Sequence, residues 1–273
     1  MKKIFTFLAL LVSVTALGAA SAETISLPHR VTYKNVPVVE IDQLPGQLQS
    51  SWIVDVRSAY EFDTLHIKGA FNIPLNKKTF RQDLERLLGQ KQKPIVFYCN
   101  GGTCKKSYKA VVKAQKAGLE NIAAYDAGIY NWAKRYPEHS VLLGSSPMKS
   151  WQFISNSKFK DRLLLADEFS AMRTRKAIVL DIRDVAQRDN PLFPFEEKRA
   201  QLKNMEKIKS IVRKAKESNK TLLVYDKVGK QVRWFQYFLE KENIKNYYFM
   251  KGGSEHYFEQ TLGFDRFMRY RNL

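Results

Sequence analysis

The reactive chemistry of this chain concentrates in one stretch, VFYCNGGTCKKSYKA, residues 96–110. It holds both cysteines, Cys99 and Cys104, with four residues between them, two of those glycine. Such a pair can be a disulfide, half of a metal site, or one reactive thiol with a neighbour. A glycine-rich loop can curl so that several backbone N–H groups point inward, a concavity suited to anions. A helix that starts just after it adds the positive end of its dipole. Lys105 and Lys106 add full positive charges. These surroundings favour thiolate over thiol at Cys99, and a thiolate so placed is a nucleophile.

The elements around the loop are legible. Ile95 to Tyr98 reads as a buried strand. Tyr108, Val111, Val112 and Ala114 give the periodicity of a helix face, and Gly118 is a helix stop. Cys99 therefore stands where a strand ends, the place where open α/β sheets bind ligands.

Other parts of the chain bound the setting. Lys2 and Lys3, the apolar run Ile4 to Ala19 and the small residues Ala20-Ser21-Ala22 read as a Sec-type signal peptide over 1–22. The mature chain is expected to start near Glu23 and to work in the periplasm, without stable membrane insertion. The formal net charge of the 273 residues is +19. Residues 23–150 carry 18 Lys/Arg against 11 Asp/Glu, and residues 151–273 carry 26 against 16. This charge attracts anions, and nucleic acid is a poor partner for an exported chain. Two cysteines are too few for a disulfide scaffold, and this size needs none. His29, His66, His139 and His256 show no metal-ligand spacing, so no metal is expected.

The sequence repeats itself. SWIVDVRSAYEF (51–62) is echoed by KAIVLDIRDVAQ (176–187), with Asp55 and Asp181 126 positions apart. KPIVFYCNGGTCK (93–105) is echoed by KTLLVYDKVGKQV (220–232). Cys99 then matches Asp226 and Gly102 matches Gly229, both 127 apart, while Cys104 faces Gln231. Gly128 matches Gly253 and Trp132 matches Tyr257, both 125 apart. In the second repeat Leu222 to Tyr225 reads as a strand, and Val232, Phe235, Phe238 and Leu239 as a helix face. Two homologous domains follow, 23–146 and 147–273, with LLGSSPMKS (142–150) as the linker. Each is expected to be α/β, a mostly parallel sheet with helices on both faces.

The first repeat resembles the rhodanese (sulfurtransferase) domain. VDVRSAYEFDTLHIKGAFNIPL (54–75) is similar to that family's first signature, through Asp55, Arg57, Glu61, His66, Gly69, Ala70, Ile73 and Pro74. GLENIAAYDAGIYNWAK (118–134) is similar to its closing signature, and the loop from Cys99 to its six-residue active-site loop. The resemblance implies that Cys99 takes sulfane sulfur from a donor such as thiosulfate and passes it, as a persulfide, to a thiophilic acceptor. Asn100, Gly101, Gly102, Thr103, Cys104 and Lys105 would bind the anionic sulfur through their backbone. Partners would be small sulfur-containing anions and a periplasmic thiol acceptor protein, and His66 would be a supporting residue. The chain departs from the pattern at Lys68, where Pro is usual, at Ala127, where Gly is frequent, and at Cys104. The second repeat lacks the nucleophile, since a carboxylate at Asp226 carries no persulfide, so this half is expected to be silent.

Three alternatives stand beside this reading. Phosphatases of the related fold use a cysteine, five residues and then Arg; here Lys105 holds the Arg position, and it lacks the bidentate fork. A non-catalytic envelope binding module would use both repeats as scaffolds. A thiol redox protein would cycle a Cys99–Cys104 disulfide, and two roles for Cys104 stand equal, resolving the persulfide or serving as a small helix-start residue.

Overall fold

A computed structural model describes residues 25–188 and 191–262. The expected signal peptide, residues 1–22, lies outside them. No described helix is long and apolar enough to cross a membrane.

Residues 38–142 build the first half. Its strands are β1 (Trp52–Asp55), β2 (Leu65–Ile67), β3 (Phe71–Asn72), β4 (Ile95–Tyr98), β5 (Ile122–Tyr125) and β6 (Ser140–Leu142). Its helices are α1 (Leu44–Gln47), α2 (Ala59–Thr64), α3 (Phe80–Gln90), α4 (Lys106–Lys116) and α5 (Gly128–Arg135). The parallel sheet runs β3-β1-β4-β5, and β2 pairs antiparallel with β6 beside it. All four residues of β4 are buried, as expected of a central parallel strand covered on both faces. Ser58 caps α2: its side chain accepts from the Glu61 N–H while Glu61 reaches back to Ser58.

The strand alternation decides which way the cysteine points. Ile95, Phe97 and Cys99 share one core with Phe80, Leu84 and Leu87 of α3 and Tyr108, Ala110, Val111 and Ala114 of α4. Val96 and Tyr98 face the opposite side, with Ile129 and Trp132 of α5.

The second half contains α6 (Asn156–Lys160), β7 (Leu163–Leu164), α7 (Ala166–Ala171), β8 (Ala177–Asp181), β9 (Glu197–Arg199), α8 (Met205–Glu217), β10 (Thr221–Tyr225), α9 (Gln231–Lys241), β11 (Tyr247–Met250) and α10 (Gly253–Leu262). Its sheet, β7-β11-β10-β8-β9, is again all parallel. The first sheet has the same order once the parallel bridge between Val38 and Ala124 of β5 is set opposite β7. The expected α/β class, two mostly parallel sheets flanked by helices, is the observed one.

The two halves share an apolar core. Tyr98, Ile129 and Trp132 belong to the same buried cluster as Leu222, Val224, Trp234 and Phe238. The stretch 142–150 is more than a tether. Leu142 and Ser145 exchange backbone hydrogen bonds, and Met148 is buried with its N–H on Pro137. Its Gly, Ser and Pro therefore encode tight turns laid against the first half.

Candidate active site

Cys99 follows β4 directly and is fully buried. Its sulfur is bonded to that of Cys104 across a Cα–Cα distance of 6.4 Å. Ser107 Oγ, in the first turn of α4, lies 3.8 Å from Cys99 Sγ. Between the cysteines the chain turns tightly, with the Cys104 N–H on the Gly101 carbonyl at 2.8 Å. Asn100, Gly101, Gly102 and Cys104 are half-buried, and Thr103 and Lys105 are exposed. The sequence-expected site residues thus form one contiguous loop at the C-terminal end of the central strand.

Two glycines let neighbouring backbone approach that loop. A Cβ on Gly102 would lie 2.0 Å from the Ser26 carbonyl oxygen. Gly128 adopts φ +70°, and a Cβ there would lie 2.4 Å from the Gly101 nitrogen. The N-terminal segment covers the loop from outside. His29 Nε2 is 3.0 Å from the Thr103 carbonyl. Arg30 forks onto Asp126 at 2.8 and 3.1 Å, and Tyr108 donates to the same carboxylate at 2.5 Å. Nothing in the spacing of Ser26 to Arg30 marks this contact, and sequence reasoning missed it.

A buried polar chain fixes the loop's first residue. Arg57 forks onto Asp55, Nε to Oδ1 at 2.9 Å and Nη2 to Oδ2 at 2.6 Å, and donates to the Leu65 carbonyl at 2.6 Å. Its Nη1 is 3.3 Å from Asn100 Oδ1, and Asn100 Nδ2 donates to Glu61 Oε1 at 3.0 Å. Burial raises the Glu61 carboxyl, but Arg57, the Asn100 amide, Lys106 and Ser58 together hold it below its ordinary value. His66 lies outside this chain. It bonds the Phe62 carbonyl at 2.7 Å and stacks on the Phe62 ring, and burial lowers its pKa. The second half closes over Arg57 with the Trp234 ring, 4.8 Å from the guanidinium.

The loop of the second half has the same place and different contents. Asp226 follows β10 as Cys99 follows β4, and it is buried. Its carboxylate accepts the backbone N–H groups of Gly229, Gln231 and Val232. Burial raises the Asp226 carboxyl above its ordinary value, against the pull of these donors. Arg183 forks onto Asp181 as Arg57 does onto Asp55, at 3.0 Å for both contacts.

The helix starts correct one detail of the repeat. α4 opens at Lys106 and α9 at Gln231, 125 positions on. The second loop is therefore two residues shorter than the first. Gln231 faces Lys106, so Cys104 does not face Gln231.

Residues 40–135 match the family model described as Rhodanese-like domain. Curated relatives named tRNA uridine(34) hydroxylase include one from Bdellovibrio bacteriovorus, 34% identical over 86 residues, 31% of this chain and 24% of that protein. Another, from Sodalis glossinidius, is 35% identical over 108 residues, 38% of this chain and 29% of that protein. The match thus spans less than a third of either relative. Among solved structures, a thiosulfate sulfurtransferase from Pseudomonas aeruginosa aligns over 84% of this chain and 43% of its own, at 15% identity and TM-score 0.39. A rhodanese-related protein from Thermoplasma volcanium aligns over 36% of this chain and 92% of its own, at 24% identity and TM-score 0.31. Over residues 40–135, then, the chain is similar to the rhodanese-like domain family.

Proposed function

We propose that the protein is a sulfurtransferase that moves sulfane sulfur through a persulfide on Cys99. The observation that carries this reading is the comparison of the two loops. In the second half three backbone N–H groups hold a carboxylate at the position of the thiol. The same strand-loop-helix turn around Cys99 would hold a sulfur anion in the same way.

The observed disulfide is the oxidised form of this site. A dithiol reductant opens it in two steps: one of its thiolates attacks a cysteine sulfur, then its second thiol attacks the mixed disulfide, which leaves both cysteines reduced and the reductant as its own disulfide. The Cys99 thiolate then attacks the outer sulfur of thiosulfate. The donor's S–S bond breaks, sulfite leaves with the electron pair, and Cys99 keeps one extra sulfur. An acceptor thiolate or cyanide attacks that outer sulfur, and the electron pair returns to Cys99. The N–H groups of Asn100 to Lys105 would stabilise the anionic persulfide, Ser107 Oγ would donate to Cys99 sulfur, and Arg57 and Glu61 would position Asn100. Domain 23–146 would catalyse, and domain 147–273 would pack on it and remain silent. A periplasmic location fits a chain whose two cysteines form a disulfide. Hydroxylation of tRNA is not carried over, since the shared part is under a third of each relative so named.

Intact mass after reduction and thiosulfate treatment tests the proposal. A gain of one sulfur atom, absent in Cys99→Ser, is expected; the same gain in the variant, or none in the wild type, overturns it. The disulfide also favours a second reading, a thiol redox protein. Persulfide turnover at the wild-type rate in Cys104→Ala would leave Cys104 without a resolving role and weaken it.

A further inference from the structure

The outer face of α4 separates the two halves. With α4 and α9 aligned at their first residues, the inward positions agree. Ser107, Ala110, Val111 and Ala114 are buried, and so are Val232, Phe235, Gln236 and Leu239. The outward positions do not. In α9 they are Trp234, Tyr237 and Phe238, all buried. Trp234 lies over Arg57 of the first half, and the Tyr237 hydroxyl accepts the Ile154 N–H at 3.3 Å. In α4 the same positions are Lys109, Val112 and Lys113, and both lysines are exposed. The face that docks one half on the other is thus left to solvent in the first half and rebuilt in charge.

That charge is continuous with the reactive loop. Lys105, Lys106, Lys109, Lys113 and Lys116 follow one another from the loop to the end of the helix, all exposed. No acidic residue occurs from Cys99 to Leu119. Among the described residues none of the five lysines forms a salt bridge. Lys113 alone is tethered, through the Leu75 carbonyl at 3.0 Å and the Phe80 ring at 4.6 Å. At about 1.5 Å per residue, the 11-residue helix carries the stripe over roughly 16 Å.

We propose that this face docks an acidic thiol protein, the acceptor that takes sulfur from Cys99. The proposal rests on the sulfurtransferase reading and names its partner class. A protein acceptor must bring its own thiolate to the outer sulfur of the Cys99 persulfide; that S–S bond breaks and the electron pair returns to Cys99. A lysine row that begins at the loop steers an acidic surface to that position and fixes its direction along the helix. The row holds no arginine and no exposed aromatic between its lysines, the groups that read and stack nucleic-acid bases, so a protein is favoured over RNA.

The test loads Cys99 with sulfur and follows transfer to two peptides of equal length, each with one cysteine, flanked by glutamates in one and by glutamines in the other. At low ionic strength the wild type should prefer the glutamate peptide by at least about tenfold, and high salt should remove the preference. Lys109→Glu/Lys116→Glu should abolish the preference while transfer to cyanide, which needs no docking, stays at the wild-type rate. Equal rates for the two peptides in the wild type, or a preference that survives in the variant, overturn the proposal. So does a variant that loses affinity for a single-stranded RNA oligonucleotide with its peptide preference intact. If the wild type passes sulfur to neither peptide nor cyanide, it is the sulfurtransferase reading that fails. Anisotropy of the labelled glutamate peptide then decides the face: binding must weaken in the variant, and unchanged binding overturns it.

Discussion

Cys99 and Asp226 occupy the same point of the same turn, and the difference between them separates what the fold builds from what the chemistry uses. Both follow a central strand, fully buried in the first half and buried but for Thr221 in the second, and both precede a helix. Both loops are backed by a glycine at positive φ, Gly128 at +70° and Gly253 at +65°. Both lie above an Asp-Arg fork. In the second half the cradle of N–H groups is filled by the chain's own carboxylate. In the first half the loop is two residues longer, carries Cys104, and sets a sulfur where the carboxylate would be. The filled cradle is thus seen in the second half, and the two loops differ in length as well as in the side chain that follows the strand.

The fork beneath each loop gives the largest expected effect. Arg57→Met leaves the fully buried Asp55 carboxylate without its cation, at a cost of about 3–5 kcal/mol. Arg183→Met should cost less, because Arg188 Nε remains 3.4 Å from Asp181. Urea unfolding of the two variants measures the gap. Equal losses would mean that the forks are not distinguished by their second cation.

Filling can be undone in the second loop. Asp226→Ala strands the N–H groups of Gly229, Gln231 and Val232 in a buried site, which should cost about 1–3 kcal/mol. Sulfur transfer by Cys99 should continue at the wild-type rate once the reduced protein is folded. A fall in transfer that exceeds the loss of folded protein would tie the second loop to the chemistry and break the comparison.

Much of this comparison was readable in the chain. The Asp-x-Arg echo at 55–57 and 181–183 marked both forks, and the apolar run Ile95 to Tyr98 marked the strand beneath Cys99. The loop itself was legible because glycine and cysteine are informative residue types at a strand end. What was hidden depends on long-range approach. Ser26 against Gly102 and Trp234 over Arg57 join residues 76 and 177 positions apart, and no periodicity encodes such pairs. The pairing of Cys104 with Gln231 failed for a local reason. A two-residue difference inside a loop leaves no periodic trace, and only the two helix starts reveal it. Of the aromatic outer positions of α9 only Phe238 entered the helix reading; that Trp234, Tyr237 and Phe238 pack toward the other half follows from the assembled core.

The smallest effect concerns acid, and it separates the loops through Glu61. This carboxyl is held below its ordinary value of 4.5, while the unfolded chain's carboxyl keeps that value. Between the two values the unfolded state binds more protons than the native one, so the native state loses stability as pH falls. The contribution of Glu61 is thus fully present above about pH 4.5 and disappears as pH drops through the native value. Glu61→Gln removes it. The stability difference between wild type and Glu61→Gln should be on the order of 1 kcal/mol near neutrality and should shrink below that pH. Glu197 in the second half is also held low, against its burial, by Tyr225, the Phe193 N–H and Arg199. Glu197→Gln should show the same pH trend in unfolding. Only Glu61 touches a loop residue, through Asn100. Sulfur transfer should therefore weaken in Glu61→Gln at neutral pH, where the variant is still folded, and remain unchanged in Glu197→Gln. If both variants keep full transfer, the polar chain from Arg57 to Glu61 supports the fold alone, and the two halves differ at this level only in the thiol.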